Sequence, residues 1–269
     1  MTSLYHGIRG DAFKNLIVTI LKRGQVSPEI IRVLTDDESM KLYSVAFTHV
    51  SMDIENNYEY LEFLGDSVVN TAIVWYISRR FKHLSGSKGV KILARLKINL
   101  VSKKNFAACG QRLNLWDYIS CSDTIRATCK RKVLEDVFEA FFGATTYLMD
   151  NKVYYCSGYA IVYSILSNIF DELELSLKYE DLFDARTRIK ELFDANKAIG
   201  TLVYDVDKDP QTNIFTIQAF LVKMQHGPNP TRIFLGQGSA NSKADATQVA
   251  SQYAINMLRT MGIQFRVDF

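Results

Sequence analysis

The stretch "NNYEYLEFLGDSVVN", Asn56 to Asn70, carries three carboxylates within eight residues of otherwise apolar, helix-favouring sequence. Glu59, Glu62 and Asp66 stand at i, i+3 and i+7, which at about 3.6 residues per turn puts them on one face of a helix with like charges adjacent. An isolated helix is weakened by that arrangement. Leu61, Phe63, Leu64, Val68 and Val69 surround the acids, so the helix is expected to be packed and the acids to face something cationic.

A second set lies in "RKVLEDVFEAFFGATTYLMD", Arg131 to Asp150, where Asp136 and Glu139 are again i and i+3 among large apolar residues. Glu135 points about 100° away from Asp136 on the helix and is expected to face solvent. Paired carboxylates on apolar helices are costly unless they share a cation. Mg²⁺ or Mn²⁺ suits them, being hard ions that take carboxylate oxygens. Gly65 and Gly143 each follow a glutamate by three or four residues, where two helices can approach closely. Two antiparallel helices would then present Glu62, Asp66, Asp136 and Glu139 around one or two ions. Glu59, about 10.5 Å along the axis from Asp66, can line the site and is the weaker candidate for sharing an ion with it. Metal-activated water attacking a phosphodiester is chemistry that needs such a cluster and no histidine. The plainer alternative, a capped or ion-paired feature on each helix, would be preferred for a single pair.

The rest of the chain bounds this reading. Its 269 residues are 48% apolar, enough to bury a sizeable core in one large domain or two ordinary ones. No run approaches the roughly 18 apolar residues that span a bilayer, and "FKNLIVTIL" is short, interrupted by Lys14 and without a cleavage site. No membrane association is expected. Cys109, Cys121, Cys129 and Cys156 lack paired C-x-x-C spacing, which points to an intracellular, reducing compartment, cytoplasm or nucleus, and no structural zinc. The four histidines are scattered. Net charge is only +3, yet Lys82 to Lys132 holds 12 Lys or Arg against Asp117 and Asp123 alone. A solvated helical face is the ordinary explanation of such a run. Here it lies between two acidic motifs, so a polyanion held against an acidic site is a serious alternative.

Up to about residue 170 the apolar period is helical, with helices expected over Asp11–Arg23, Ser27–Leu34, Met40–Thr48, Asn57–Phe81, Ala94–Gly110, Lys132–Asp150 and Tyr159–Leu173. After Asp184 the pattern changes. "DARTRIKELFDANK" reads as a helix, "GTLVYDVDKD", "IFTIQAFLVK" and "TRIFLGQGS" as strands, and "SKADATQVASQYAINMLRTM" as a closing helix. The fold class is therefore an all-α domain followed by an α+β domain of order α-β-β-β-α, an antiparallel meander with both helices on one face and a hairpin turn at "QHGPNP". The expected divisions are an N-terminal helical extension over 1–35, the helical domain over 36–175, a linker over 176–183 and the α+β domain over 184–269.

These motifs resemble those of the ribonuclease III family. "NNYEYLEFLGDSVVN" is similar to its signature Asn-Glu-Arg-Leu-Glu-Phe-Leu-Gly-Asp-Ser, and "LEDVFEAFFGATTYLMD" to its second catalytic motif. "AFTHVS" (Ala46–Ser51) and "LVSKKNFA" (Leu100–Ala107) fall where that family has supporting helices, and the C-terminal segment resembles a double-stranded-RNA-binding domain. The resemblance covers roughly residues 35 to 262. It implies Glu62, Asp66, Asp136 and Glu139 as metal ligands for Mg²⁺, with Mn²⁺ as a substitute, and Glu59 as a fifth catalytic acid. It also implies Phe63 as the residue that packs into the partner of a homodimer, so that two active centres face one RNA duplex.

Three departures qualify it. Tyr60 replaces the signature Arg. No Asp or Glu occurs between Asp66 and Asp117, so the family's auxiliary Glu-Gly carboxylate is missing and Lys88 or Lys91 stands nearby instead. The family's Lys-Lys-x-Ala-Lys cluster is reduced to Lys243 in Lys243-Ala244-Asp245-Ala246-Thr247, and Gln211 occupies the position of a minor-groove His. Thr187, Lys190 and Glu191 match residues that touch minor-groove 2′-hydroxyls, so shape recognition of A-form RNA with weak phosphate affinity is expected there.

The resemblance thus implies an endoribonuclease that cleaves duplex RNA by divalent-metal-assisted hydrolysis, leaving 5′-phosphate and 3′-hydroxyl ends. The alternatives are a non-catalytic binder that sequesters duplex RNA and a scaffold subunit of an RNA particle. All five acids of the signature motifs are present, which favours the enzyme.

Overall fold

The computed structural model describes residues 3–223 and 230–263, and the chain divides into two compact units, Met1–Leu175 and Ser176–Phe269. The first unit runs β1 (Leu4–Tyr5), α1 (Asp11–Arg23), α2 (Pro28–Leu34), α3 (Asp37–Ala46), α4 (Glu59–Arg80), α5 (Gly89–Leu100), α6 (Lys103–Arg112), β2 (Cys121–Ser122), α7 (Asp123–Thr128), α8 (Lys130–Lys152) and α9 (Gly158–Asp171). Helix α8 is its axis. Every residue from Val133 to Thr145 is buried, because α4, α6, α9 and α3 pack around it. A helix enclosed on all sides can carry Phe138, Phe141 and Phe142 in neighbouring positions, and these rings stack edge-on to one another at 5.0 and 5.1 Å and meet Phe106 of α6 and Tyr43 of α3.

Helices α4 and α8 cross antiparallel at two glycines. A Cβ on Gly65 would collide with the carbonyl of Glu139, and one on Gly143 with that of Leu61. Absence of a side chain at both positions is what lets the backbones touch.

The sequence anticipated these helices with several differences, among them that α5 begins at Gly89, five residues before the expected Ala94. The single helix expected over Ala94–Gly110 is two, α5 and α6, broken where the Ser102 hydroxyl accepts from the Asn105 N–H and caps α6. A serine cap competes with helix continuation, and here it wins. Helix α3 starts earlier than Met40, at Asp37, because the Asp36 carboxylate caps it at Ser39 N. Helix α7 was not anticipated, and neither was the ribbon in which β1 pairs antiparallel with β2. That ribbon builds the N-terminal segment into the unit, as does Arg9, whose guanidinium donates to the Tyr118 and Phe47 carbonyls and to Ser120 Oγ.

The second unit contains α10 (Tyr179–Leu182), α11 (Ala185–Ala195), β3 (Thr201–Lys208), β4 (Phe215–Lys223), β5 (Thr231–Ala240) and α12 (Lys243–Thr260). The strands form an antiparallel sheet in the order β3-β4-β5. Ile189 and Leu192 of α11, Ala254 and Leu258 of α12, and Leu221 and Leu235 of the sheet share one core, so both helices cover the same face. Part of the segment expected as a linker is helical, and the Tyr179 hydroxyl within it donates to Glu191 at 2.5 Å. The turn expected at "QHGPNP" lies, except for Pro230, outside the described residues. Among the described residues no helix is long and apolar enough to cross a membrane.

Candidate active site

The glycine crossing brings the two acidic motifs together. Asp136 is almost fully buried, Glu139 is buried, Glu62 half-buried and Asp66 exposed. Their fields overlap. Burial pushes Glu139 up to about 8, reinforced by Asp66, Glu135, Glu62 and Asp136. Glu62 is pushed up to about 7 by burial and then by Asp136, with Lys132 and Lys103 opposing. Such mutual repulsion marks carboxylates that lack enough positive charge.

Two of the four are held by neighbours. Asp66 Oδ1 accepts from Asn70 Nδ2 at 2.7 Å, one turn along α4. Asp136 Oδ2 accepts from the Tyr58 hydroxyl at 2.8 Å and lies 3.9 Å from Lys132 Nζ. Tyr58 sits just before α4 and is buried against the edge of His49, ring centroids 5.6 Å apart. Burial beside Asp136 drives its hydroxyl far above the usual tyrosine range, so it remains a donor. Burial holds the His49 imidazole below its usual range, against the opposing pull of Asp136.

Glu59 stands apart. It is exposed at the start of α4, with its N–H capped by the Asn57 side chain, and its charge reaches His49 and Tyr58. Glu135 corrects the sequence expectation. It is buried, only 6% exposed, and both its oxygens are reached by Lys103 Nζ, at 3.0 and 3.3 Å. The helical wheel assigned that face to solvent, but α6 packs along it. Tyr58 was missed for a related reason, and Lys103 and Lys132 were read only as members of the basic block, since the place of each at the acids depends on which elements meet.

The donor set fits a hard divalent cation: oxygen ligands only, crowded and under-compensated. Among the described residues no three such side chains already enclose an ion position.

Of the other residues singled out, Phe63 is 70% exposed and shares a face of α4 with Tyr60 at 61%. In the second unit Lys190, Glu191, Gln211 and Lys243 are exposed and Thr187 half-buried. Thr187 bonds to the Asp184 cap of α11, Glu191 accepts from Tyr179, and Lys190 lines a cavity of about 570 Å³ with Arg186 and Lys197. Asp245, two residues after Lys243, exchanges bonds with Ser242 at the start of α12.

A model of the Ribonuclease III domain matches residues 59–150, the segment that contains both acidic motifs. A protein of Invertebrate iridescent virus 6 named "Putative ribonuclease 3" is 37% identical over 95% of this chain and 90% of its own length. The chain belongs to the ribonuclease III family. A ribonuclease III homologue of Frog virus 3, under the same name, is 33% identical over 82% of this chain, which spans 57% of that longer protein. The nuclease domain of ribonuclease III from Campylobacter jejuni superposes with a TM-score of 0.45 at 24% identity, covering 62% of this chain and 99% of that one.

Proposed function

We propose that this ribonuclease III is a homodimeric endoribonuclease whose Glu62, Asp66, Asp136 and Glu139 hold Mg²⁺, or Mn²⁺ in its place, against the scissile phosphodiester of duplex RNA. Family membership makes the chain a hydrolase of duplex RNA. The metal reading is carried by one observation: four acids from two helices converge at the glycine crossing, and two of them are driven up toward neutrality. When bound, the ion supplies an activated water and stabilises charge on the phosphoryl oxygens. Asn70 holds Asp66 and Tyr58 holds Asp136, so both carboxylates are oriented before an ion arrives. Asp136 Oδ1 has no protein donor among the described residues and is the oxygen left for a ligand role. Glu59, on the His49 side, would line the approach of the RNA.

Phe63 and Tyr60, large apolar groups exposed beside the site, support dimer formation through the first unit. The α-β-β-β-α order of the second unit supports a double-stranded-RNA-binding module in which Thr187, Lys190, Glu191, Gln211 and Lys243 face RNA. Four cysteines without a disulfide support a reducing compartment, cytoplasm or nucleus.

Incubation with long duplex RNA, with and without Mg²⁺, tests the reading. Mg²⁺-dependent shortening with 5′-phosphate ends is expected. Binding without cleavage would return the chain to the sequestering class.

A further inference from the structure

Glu135 and Lys103 form an ion pair of 3.0 Å at the carboxylate cluster, closer than Lys132 and Asp136 at 3.9 Å. Glu135 lies beside the four clustered acids, and its side chain is 8% exposed while that of Lys103 is 72% exposed. Both Glu135 oxygens are within hydrogen-bond reach of the same ammonium, at 3.0 and 3.3 Å, so Glu135 is not open as a further ion ligand. As a device for stability the pair is poor. Burying a carboxylate against an exposed lysine returns less than an apolar residue would at that position.

Placement gives the pair another use. Lys103 is the first residue of α6, where free N–H groups and the helix dipole already favour an anion. Its charge is felt by Glu62 on the far helix, and it feels Asp136 and Glu139. A phosphodiester approaching this site meets a cluster of carboxylates, and a tethered, solvent-facing ammonium at the rim lowers the cost of that approach. An ammonium has three N–H donors, and at most two are taken by Glu135.

We propose that Lys103 is a phosphate-binding residue of the active site, contacting a non-bridging oxygen at or next to the cleaved linkage, and that Glu135 is the positioning residue that fixes its ammonium there. The inference rests on the ribonuclease reading. It also supplies positive charge and a tethering carboxylate at a site whose auxiliary Glu-Gly motif is missing from the sequence.

The test uses the full chain with Lys103→Gln, Lys103→Arg, Glu135→Gln and the Lys103→Gln/Glu135→Gln double variant, duplex RNA as substrate, and Mn²⁺ as the metal probe read by electron paramagnetic resonance. Lys103 is exposed, so its variants should fold. Loss of one charge-assisted bond to phosphate should slow single-turnover cleavage by about tenfold or more. Lys103→Gln should also weaken duplex binding in EDTA while leaving Mn²⁺ affinity unchanged or tighter, since a repelling cation has gone. Lys103→Arg should recover most of the rate. Glu135→Gln should be slower than wild type, and the double variant no slower than Lys103→Gln, because the two residues act through one contact. Rate loss that tracks weakened Mn²⁺ binding, additive losses in the double variant, or a Lys103→Gln enzyme with wild-type rate would each overturn the proposal. Wild-type protein that fails to cleave would instead overturn the ribonuclease reading beneath it.

Discussion

Gly65 and Gly143 face each other across the crossing of α4 and α8, and each lies against the other helix's backbone where a Cβ would collide with a carbonyl. The Gly65 contact is the carbonyl of Glu139 itself. Alanine at either glycine must therefore push apart the helices that carry the four acids. Gly65→Ala or Gly143→Ala is expected to cost about 2–4 kcal/mol in urea unfolding, at or above the upper end of ordinary overpacking because backbone atoms cannot turn aside, and to remove cleavage. Gly86→Ala, with open space around its Cβ, should leave both unchanged.

Charge repulsion in the cluster sets a pH dependence. Glu139 at about 8 and Glu62 at about 7 lie above their unfolded values of about 4.3. Between about pH 4.5 and 8 the folded state thus holds protons that the unfolded state has released, and stability falls as pH rises through that window. Thermal scans in EDTA should show the melting temperature dropping from about pH 5 to 8, with Glu139 contributing on the order of a few kcal/mol; the half-buried Glu62 contributes less through solvent screening. Mg²⁺ should remove the slope. Glu139→Gln should flatten it in EDTA, abolish cleavage and leave duplex binding nearly unchanged. A flat wild-type profile would mean the acids are already compensated.

What the sequence shows about this site is the part that periodicity can carry. Spacing placed Glu62 with Asp66 and Asp136 with Glu139, and two glycines one turn further on announced close helices. It failed at Glu135, where a wheel drawn for one helix has no knowledge of α6 lying along the supposed solvent face. Tyr58 and His49 were equally hidden, since a tyrosine before a helix gains meaning only when Asp136, 78 residues away in sequence, arrives beside its hydroxyl. Boundaries erred where capping side chains decide them, at Asp36 and Ser102. Asp245 shows the reverse case. Set against the family's lysine cluster it looks like a loss of charge, but the structure shows it exchanging bonds with Ser242 at the start of α12.

Tyr58→Phe removes one hydroxyl and keeps the ring packed on His49. With its Oδ2 donor gone, Asp136 loses orientation, and a group that orients a ligand is worth about 10- to 100-fold in metal affinity or activity. Mn²⁺ titration should weaken within that range while the melting temperature shifts little. Unchanged Mn²⁺ binding would show that Lys132 or the packing alone positions Asp136.

Phe63 and Tyr60 leave large apolar surface exposed on α4, and a second copy of the chain is the proposed cover. Light scattering of the full chain at micromolar concentration should give a dimer. Phe63→Asp should shift it to monomer without lowering the monomer's own stability, because the side chain touches solvent in a single copy. A monomeric wild type would contradict the assignment.

The two units differ in what they offer the RNA backbone. Lys103 and Lys104 open α6, and Lys130, Arg131 and Lys132 open α8; all five are exposed. The two helices pack together; Lys103 meets Glu135 at 3.0 Å and Lys132 lies 3.9 Å from Asp136, while Lys104, Lys130 and Arg131 stand beside them in sequence at the same two helix starts. In the second unit the start of α12 offers Lys243, with Asp245 two residues on occupied by capping. Counterion release makes log K fall with log salt at roughly 0.9 per phosphate contacted on B-DNA, and duplex RNA should be similar. Deleting residues 184–269 should therefore reduce the salt slope only slightly. Neutralising Lys103, Lys104, Lys130 and Arg131 together should reduce it by more. Binding of duplex RNA measured against KCl concentration, in Ca²⁺ if that ion does not support cleavage, decides between them. A truncated chain that lost most of its slope would make the second unit the main phosphate anchor despite its missing lysines, and would return the basic block to an ordinary solvated face.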